Sequence, residues 1–412
     1  DSIEGWSFHD GTPFNAEAVV ANLDRAQNNP ESTVATSLTS VVSIEAVDEY
    51  NVKIVTEGSA VPLISVLSGP TGMMMSPAVF DDPTQDLNPT GGSGAFRLVS
   101  YAAGDKAVYE PVENYWDPEA VKVGMLEIWV GNDEVKYNSV SAGTASATFI
   151  RPNQVPQAES DPNVVLLETP TINTYTIRLN TERSEFASKE VRQAMNHAVN
   201  REAVNAVLNG RCSPGVQMLP QTYWAGNPDI GGDFYAYDPD RARELLAEAG
   251  LPDGFSWTLE VSNLPIFIQL AELLQQDYAA VGIDMAIVPV DLSVGLENFA
   301  VTKVSDGFFT EQRGESDPSV MVGNYFLDEG FMNPGGFEAE GVRELHEQAL
   351  GAGTEAERAE FYHELQAIVV EEAAPNITLC TLTTSVIHGP NVQGMNVWPD
   401  TTRGLRGVSI AS

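Results

Sequence analysis

Tyr237-Asp-Pro-Asp-Arg-Ala-Arg-Glu-Leu-Leu-Ala-Glu-Ala-Gly250 is the stretch whose reading decides the fold class. Asp238 is a residue type that caps helix N-termini, and Pro239 falls at the first helical position, where its missing N–H costs nothing. Leu245, Leu246 and Ala249 supply the apolar stripe, Gly250 ends the helix and Pro252 lies beyond it. Downstream, residues 256–261 read as a strand, 266–281 as a helix and 284–290 as a strand. This alternation is that of an α/β layer structure, in which helices cover a sheet.

The reading extends outward in both directions. Thr354-Glu-Ala-Glu357 is a capping box, and its helix places Phe361, Leu365, Ile368 and Val369 on one face. Residues 338–372 hold ten acids and two arginines, which reads as a solvated helical face and not as a calcium site. Upstream, Ser188 caps a helix through Val191, Met195 and Val199, and a shorter helix from Arg201 stops at Gly210. Residues 163–180 read as two strands broken at Pro170. Strands are expected near 95–101, 106–112 and 125–130, and a strand pair over 41–56. Residues 14–27 read as a helix capped by Asn15. Strands cluster early and α and β alternate later, so three mixed α/β subdomains fit better than one doubly wound sheet.

Composition narrows the function. The 412 residues carry 21 Lys plus Arg against 58 Asp plus Glu, a net charge of −37. Such a surface opposes phosphate binding, which needs clustered cations, so nucleic acid is excluded as a partner. It opposes an anionic membrane surface for the same reason. No apolar run approaches the roughly 18 residues of a membrane span. Six Lys against fifteen Arg is read as compositional bias. Five His and two Cys supply little zinc or thiol chemistry, and the histidines show no ligand spacing, so neither metal nor cofactor is expected. There is no Gly-x-Ser-x-Gly, His-Glu-x-x-His or Cys-x-x-Cys. Gly91-Gly-Ser-Gly94 lacks the Lys-Ser/Thr of a phosphate loop and reads as a turn. An enzyme is therefore not expected.

Several stretches, taken together, resemble the family 5 extracellular solute-binding proteins, the peptide, dipeptide and nickel receptors of ABC importers. Phe8-His-Asp-Gly-Thr-Pro-Phe-Asn-Ala-Glu17 is similar to the family's F-H-D-G-x-P passage. Gly92-Ser-Gly-Ala-Phe-Arg-Leu98 with Asn114-Tyr-Trp116 is similar to its G-T-G-P-Y/F-x-L and N-x-x-Y-W. Thr174-Tyr-Thr-Ile-Arg-Leu-Asn180, then Val191-Arg-Gln-Ala-Met195 and Asn200-Arg-Glu202, looks like Y-L-x-x-N followed by V-R-Q-A-L and D-R. The opening Tyr237–Gly250 stretch looks like Y-D-P-E-K-A-K-x-L-L-A-E-A-G. The matches follow the family's order from residue 8 to about 400.

The resemblance implies a large, class II periplasmic-binding-protein-like fold, with two α/β lobes and an extra subdomain. It places residues 1–88 as a remnant of that subdomain, with several dozen preceding residues missing. Residues 89–215 plus 385–412 would be the first lobe and 216–384 the second. The implied function is extracytoplasmic reception, periplasmic or lipid-tethered, by a monomer. A small peptide or peptide-like polar solute would be enclosed between lobes and delivered to ABC permease subunits. A sensing receptor, or one for a sugar or metal chelate, is the alternative.

The family's cleft-lining G-W-x-x-D-x-x-D-P segment corresponds to Glu311-Gln-Arg-Gly-Glu-Ser-Asp-Pro318. Gln312 stands in the Trp position. Glu315 stands near the Asp that neutralises a peptide ammonium, with Gly314 before it and Asp317-Pro318 following. Arg313 would either pair with Glu315 or receive a ligand carboxylate. From the facing lobe, Asn173 would offer donors and acceptors and Tyr175 an aromatic wall. Arg192 and Arg201 read as structural ion pairs. Cys212 and Cys380 allow one pairing: a disulfide is expected near the lobe junction in an exported protein, and two thiols in the cytosol.

Overall fold

The computed structural model describes residues 5–30, 32, 34–86, 89–315, 317–399, 401 and 403–411. The chain forms two compact units, Asp1–Glu168 with Ser385–Ser412, and Thr169–Thr384. The expected boundary at 215/216 lies inside the second of these units. The chain changes units inside one long strand, between Glu168 and Thr169, and inside a second, between Thr384 and Ser385.

The first unit is built from small antiparallel sheets. β1 (Val41–Ala46) pairs with β2 (Val52–Thr56), beside the helix Ala16–Asn28, whose Asn15 cap accepts the Ala18 N–H. β3 (Phe96–Ala102), β4 (Lys106–Pro111) and β5 (Leu126–Trp129) form a meander. β6 (Ala147–Ile150) pairs antiparallel with Ser385–His388.

The second unit carries the α/β alternation. Its strands are β7 (Val165–Leu179), β8 (Cys212–Pro214), β9 (Ser256–Ser262), β10 (Asp284–Val290), β11 (Gly307–Gln312) and β12 (Asn376–His388). The order is β10-β9-β11-β7-β12, with β8 on β12. β9, the helix Pro265–Ala279 and β10 form a parallel βαβ unit, and β11 runs antiparallel to β7. β7 is one strand of fifteen residues and not two, because Pro170 continues the extended backbone instead of breaking it.

Period-two alternation sends successive β7 side chains into different cores. Tyr175, Ile177 and Leu179 join a cluster with Leu259, Phe267, Leu274 and Phe309. Arg178 lies against Phe308 and Tyr325 of a second cluster, with Leu365 and Val369 from the capping-box helix Glu355–Glu371. The caps at Ser188, Asp238 and Thr354 form as their residue types dictate.

Arg192 and Arg201 correct the ion-pair expectation. Arg192 donates to the carbonyls of Ala373, Phe186, Ala187 and Glu372. Arg201 donates to those of Gly215, Thr378, Asn196 and Tyr235 and to the Asn196 side chain. Burial pushes both guanidinium pKa values down to about 10. Each cation ties distant loops together through backbone acceptors, which need no buried carboxylate.

Cys212 and Cys380 form a disulfide, with Cα atoms 5.2 Å apart. Both lie in the second unit. It cross-links β8 to β12, which already pair over Cys212–Pro214 and Cys380–Leu382.

Candidate functional site

β11 ends at Gln312, and the chain then passes through Arg313, Gly314 and Glu315 before Asp317 caps the helix Pro318–Tyr325. Ser316 lies outside the described residues. Asn173 of β7 clamps this passage from the side. Its Oδ1 accepts the Gly314 N–H at 2.9 Å, and its Nδ2 donates to Glu311 Oε1 at 2.7 Å. The Asn173 N–H donates to Thr171 Oγ1 at 3.1 Å, and the Thr171 hydroxyl donates to the Leu382 carbonyl at 2.8 Å. Gly314 packs so closely that a Cβ there would collide with the Ile172 side chain. Glycine is required here by contact and not by backbone angle.

Gln312 anchors the other side. Its Oε1 accepts from Arg178 Nη2 and from the Tyr325 hydroxyl, which leaves Nε2 to donate to the Arg313 carbonyl at 2.7 Å. Arg178 is only 2% exposed, and its Nε and Nη1 have no partner among the described residues. Burial lowers its pKa, and the rings of Tyr325 and Phe308, 5.5 and 6.0 Å away, supply a π environment in place of a carboxylate.

Glu315 is half-buried and makes no hydrogen bond or ion pair with another described residue. Burial raises its pKa above the ordinary carboxylate value. Arg313 beside it is exposed and pairs with no described carboxylate. Among the described residues, the passage therefore presents a partly desolvated anion without a partner next to an unpaired cation, on a backbone fixed at three points.

The remaining expected site residues take other places. Tyr175 is 7% exposed and packs in the core, with its ring 5.0 Å from Phe267 and 6.2 Å from Phe309. Gln312 faces inward at 4% exposure, because its amide is the acceptor for a buried cation. Asp317 is fully enclosed. Arg358 binds both of its oxygens, at 2.9 and 2.6 Å, and the Ser319 N–H and hydroxyl donate to Oδ1. Asn173 belongs to the same unit as Glu315 and does not reach it from a facing lobe. Sequence reasoning missed Arg178 and Arg358. The alternation Thr174-x-Thr176-x-Arg178 marked a polar strand face, but nothing local named Asp317 as the partner of Arg358.

A cluster of three acids, Asp328, Glu329 and Glu338, lies elsewhere in this unit. Arg343 occupies its centre, with ion pairs of 2.8, 2.6 and 2.5 Å. Arg343 hydrogen bonding holds the Glu329 carboxyl down at about 2.

The profile of the bacterial extracellular solute-binding proteins, family 5 Middle, matches residues 4–334. Glutathione-binding protein GsiB of Escherichia coli (strain K12) is 29% identical over 416 residues, covering 97% of this chain and 80% of that protein. Among solved structures, the periplasmic binding protein DppA from Helicobacter pylori, in complex with peptide STSA, superposes with a TM-score of 0.83. It is 22% identical and covers 98% of this chain and 84% of its own. The dipeptide binding protein from Pseudoalteromonas sp. SM9913, in complex with Met-Leu, gives a TM-score of 0.84. It is 20% identical and covers 99% of this chain and 87% of its own. The fold is thus that of two-lobed binding proteins. Among the described residues no helix is long and apolar enough to cross a membrane.

Proposed function

This chain belongs to the bacterial extracellular solute-binding proteins of family 5, and from that premise we propose that it is the extracytoplasmic receptor of an ABC importer for a small peptide or peptide-like solute bearing a free amine. It works as a monomer, hands its solute to membrane permeases and catalyses no reaction. The GsiB likeness and the peptide complexes among its structural neighbours support this ligand class. A disulfide suits an oxidising compartment outside the cytoplasm.

The observation that carries the reading is Glu315. A carboxylate that is partly desolvated and unpaired is unfavourable in the free protein, and a ligand ammonium removes that penalty. Arg313 stands beside it to take a carboxylate from the same ligand or from its next residue. Asn173 and Gln312 act as positioning residues, because they hold the backbone that carries both charges.

Native mass spectrometry of the purified protein identifies a retained solute. Calorimetry of wild type and Glu315→Ala against free-amine peptides then tests the role. A loss of at least about 2 kcal/mol, roughly thirtyfold, is expected. Equal affinity of the two proteins for every peptide that binds would remove Glu315 from the site.

A further inference from the structure

The second unit contains a concavity of ≈ 90 Å3 that shares no lining residue with the Glu315 passage. One wall is the paired segment of β8 and β12, where Ser213 lies opposite Thr381. The other is the turn region that carries Gln221, Thr222, Gly231 and Gly232. Thr381 and Thr383, two apart on one strand, point the same way. In a chain of net charge −37, none of the lining residues is ionisable.

We propose that this concavity is a binding subsite for an uncharged group rich in hydroxyl or amide hydrogen-bond partners. The hydroxyls of Ser213, Thr222, Thr381 and Thr383 line it and make no hydrogen bond to another described residue. Each offers one donor and two acceptor positions. Pro170, Pro214 and Pro220 contribute no N–H to the wall. An ionic group entering here would meet no counter-charge and would lose hydration without compensation. A neutral amide or polyol exchanges its water hydrogen bonds for hydroxyl ones at little cost.

The walls are rigid, as a preorganised site requires. The Cys212–Cys380 disulfide and the β8–β12 ladder fix the Ser213 and Thr381 backbones. The Thr383 N–H donates to the Arg211 carbonyl at 3.0 Å, and the Gly215 N–H to that of Leu379 at 3.3 Å. Opposite, the Gln217 side chain is fixed at both ends, donating to the Asn227 and Ile230 carbonyls and accepting the Asn227 N–H. Gly232 packs directly on the Pro214 carbonyl, where any Cβ would intrude.

The test uses two uncharged probes, N-acetyl-trialanine amide and maltose, each titrated calorimetrically into the full chain. Binding of the first identifies an amide subsite and binding of the second a polyol subsite. Thr381→Val with Thr383→Val should weaken the bound probe at least about tenfold. Serine at both positions should restore binding, because serine keeps the hydroxyl. Should the valine variant fold poorly, amide chemical-shift mapping on wild type replaces it, with Ser213, Thr381 and Thr383 expected to move. The proposal fails if neither probe binds at millimolar concentration, if the valine variant binds as wild type does, or if the shifts fall elsewhere. Neither probe carries an ammonium, so failure here leaves the Glu315 reading intact, and the converse holds.

Discussion

Arg358 and Asp317 form a two-pronged ion pair in which the side chains are 3% and 0% exposed. The pair joins the start of the helix Pro318–Tyr325 to the first turn of the helix Glu355–Glu371, and the Tyr362 hydroxyl accepts a further Arg358 bond at 3.3 Å. A further anchor beside the Glu315 passage is thus an enclosed salt bridge.

Asp317→Ala should destabilise the protein by about 3–5 kcal/mol, because it strands a buried guanidinium. Replacing both partners, with Asp317→Leu and Arg358→Met, should cost less than the sum of the single changes. Urea denaturation of Asp317→Ala, of the two single replacements, of the double replacement and of wild type reads this directly. Strictly additive losses would mean that the two residues act independently.

Asn173→Ala leaves the Gly314 N–H without its acceptor and removes a donor from Glu311, at a cost of about 1–3 kcal/mol. Asn173→Asp keeps the acceptor but sets a carboxylate against Glu311, so it should be no better than alanine near neutral pH. Thermal melts rank the variants, and an aspartate that matches wild type would show the Glu311 contact to be dispensable.

Glu315 predicts a pH dependence whose sign follows from burial. Its folded-state pKa is raised above 4.5, so the unfolded chain ionises first as pH rises. The resulting penalty is absent well below 4.5, grows as pH climbs toward the folded value and then stays constant. Glu315→Gln should therefore stabilise the ligand-free protein near neutral pH and leave it unchanged in acid. An amine ligand should cancel the wild-type penalty, so calorimetric binding should release protons at mildly acidic pH.

His346, 7% exposed, has its pKa pushed down from 6.5 to about 4 by burial, which outweighs the opposing influence of Asp317. The unfolded chain takes up the proton near 6.5 and the folded one does not. Stability should fall as pH drops from 6.5 toward 4, by on the order of 3 kcal/mol. His346→Gln should flatten that part of the stability curve in denaturant titrations stepped through pH. A curve of unchanged slope would assign the acid loss to other groups.

The legible parts of the sequence were those whose partners are near in the chain. Asn15, Ser188, Asp238 and Thr354 each cap within three residues, so residue type alone identified them. Pro170 misled because proline restricts a strand only where its N–H is needed for pairing. Arg192 and Arg201 were recognisable as structural, but their acceptors lie as far away as Ala373 and Thr378, and no spacing rule distinguishes a distant carbonyl from a carboxylate. The inward turn of Gln312 was not legible in the sequence, because it depends on Arg178 across the β7–β11 register.

The two units differ in how the polypeptide supplies them. Thr169–Thr384 is an uninterrupted run, whereas its companion is assembled from residues on both sides of that run. As the chain emerges from a ribosome or a translocation channel, the inserted unit is complete, both cysteines included, before the strand partner of β6 appears. The nascent first unit must therefore wait with the Ala147–Ile150 edge open, the kind of exposed edge that invites wrong pairing. Chaperone demand during biogenesis should consequently fall on the N-terminal portion, and the covalent cross-link can close early without trapping it.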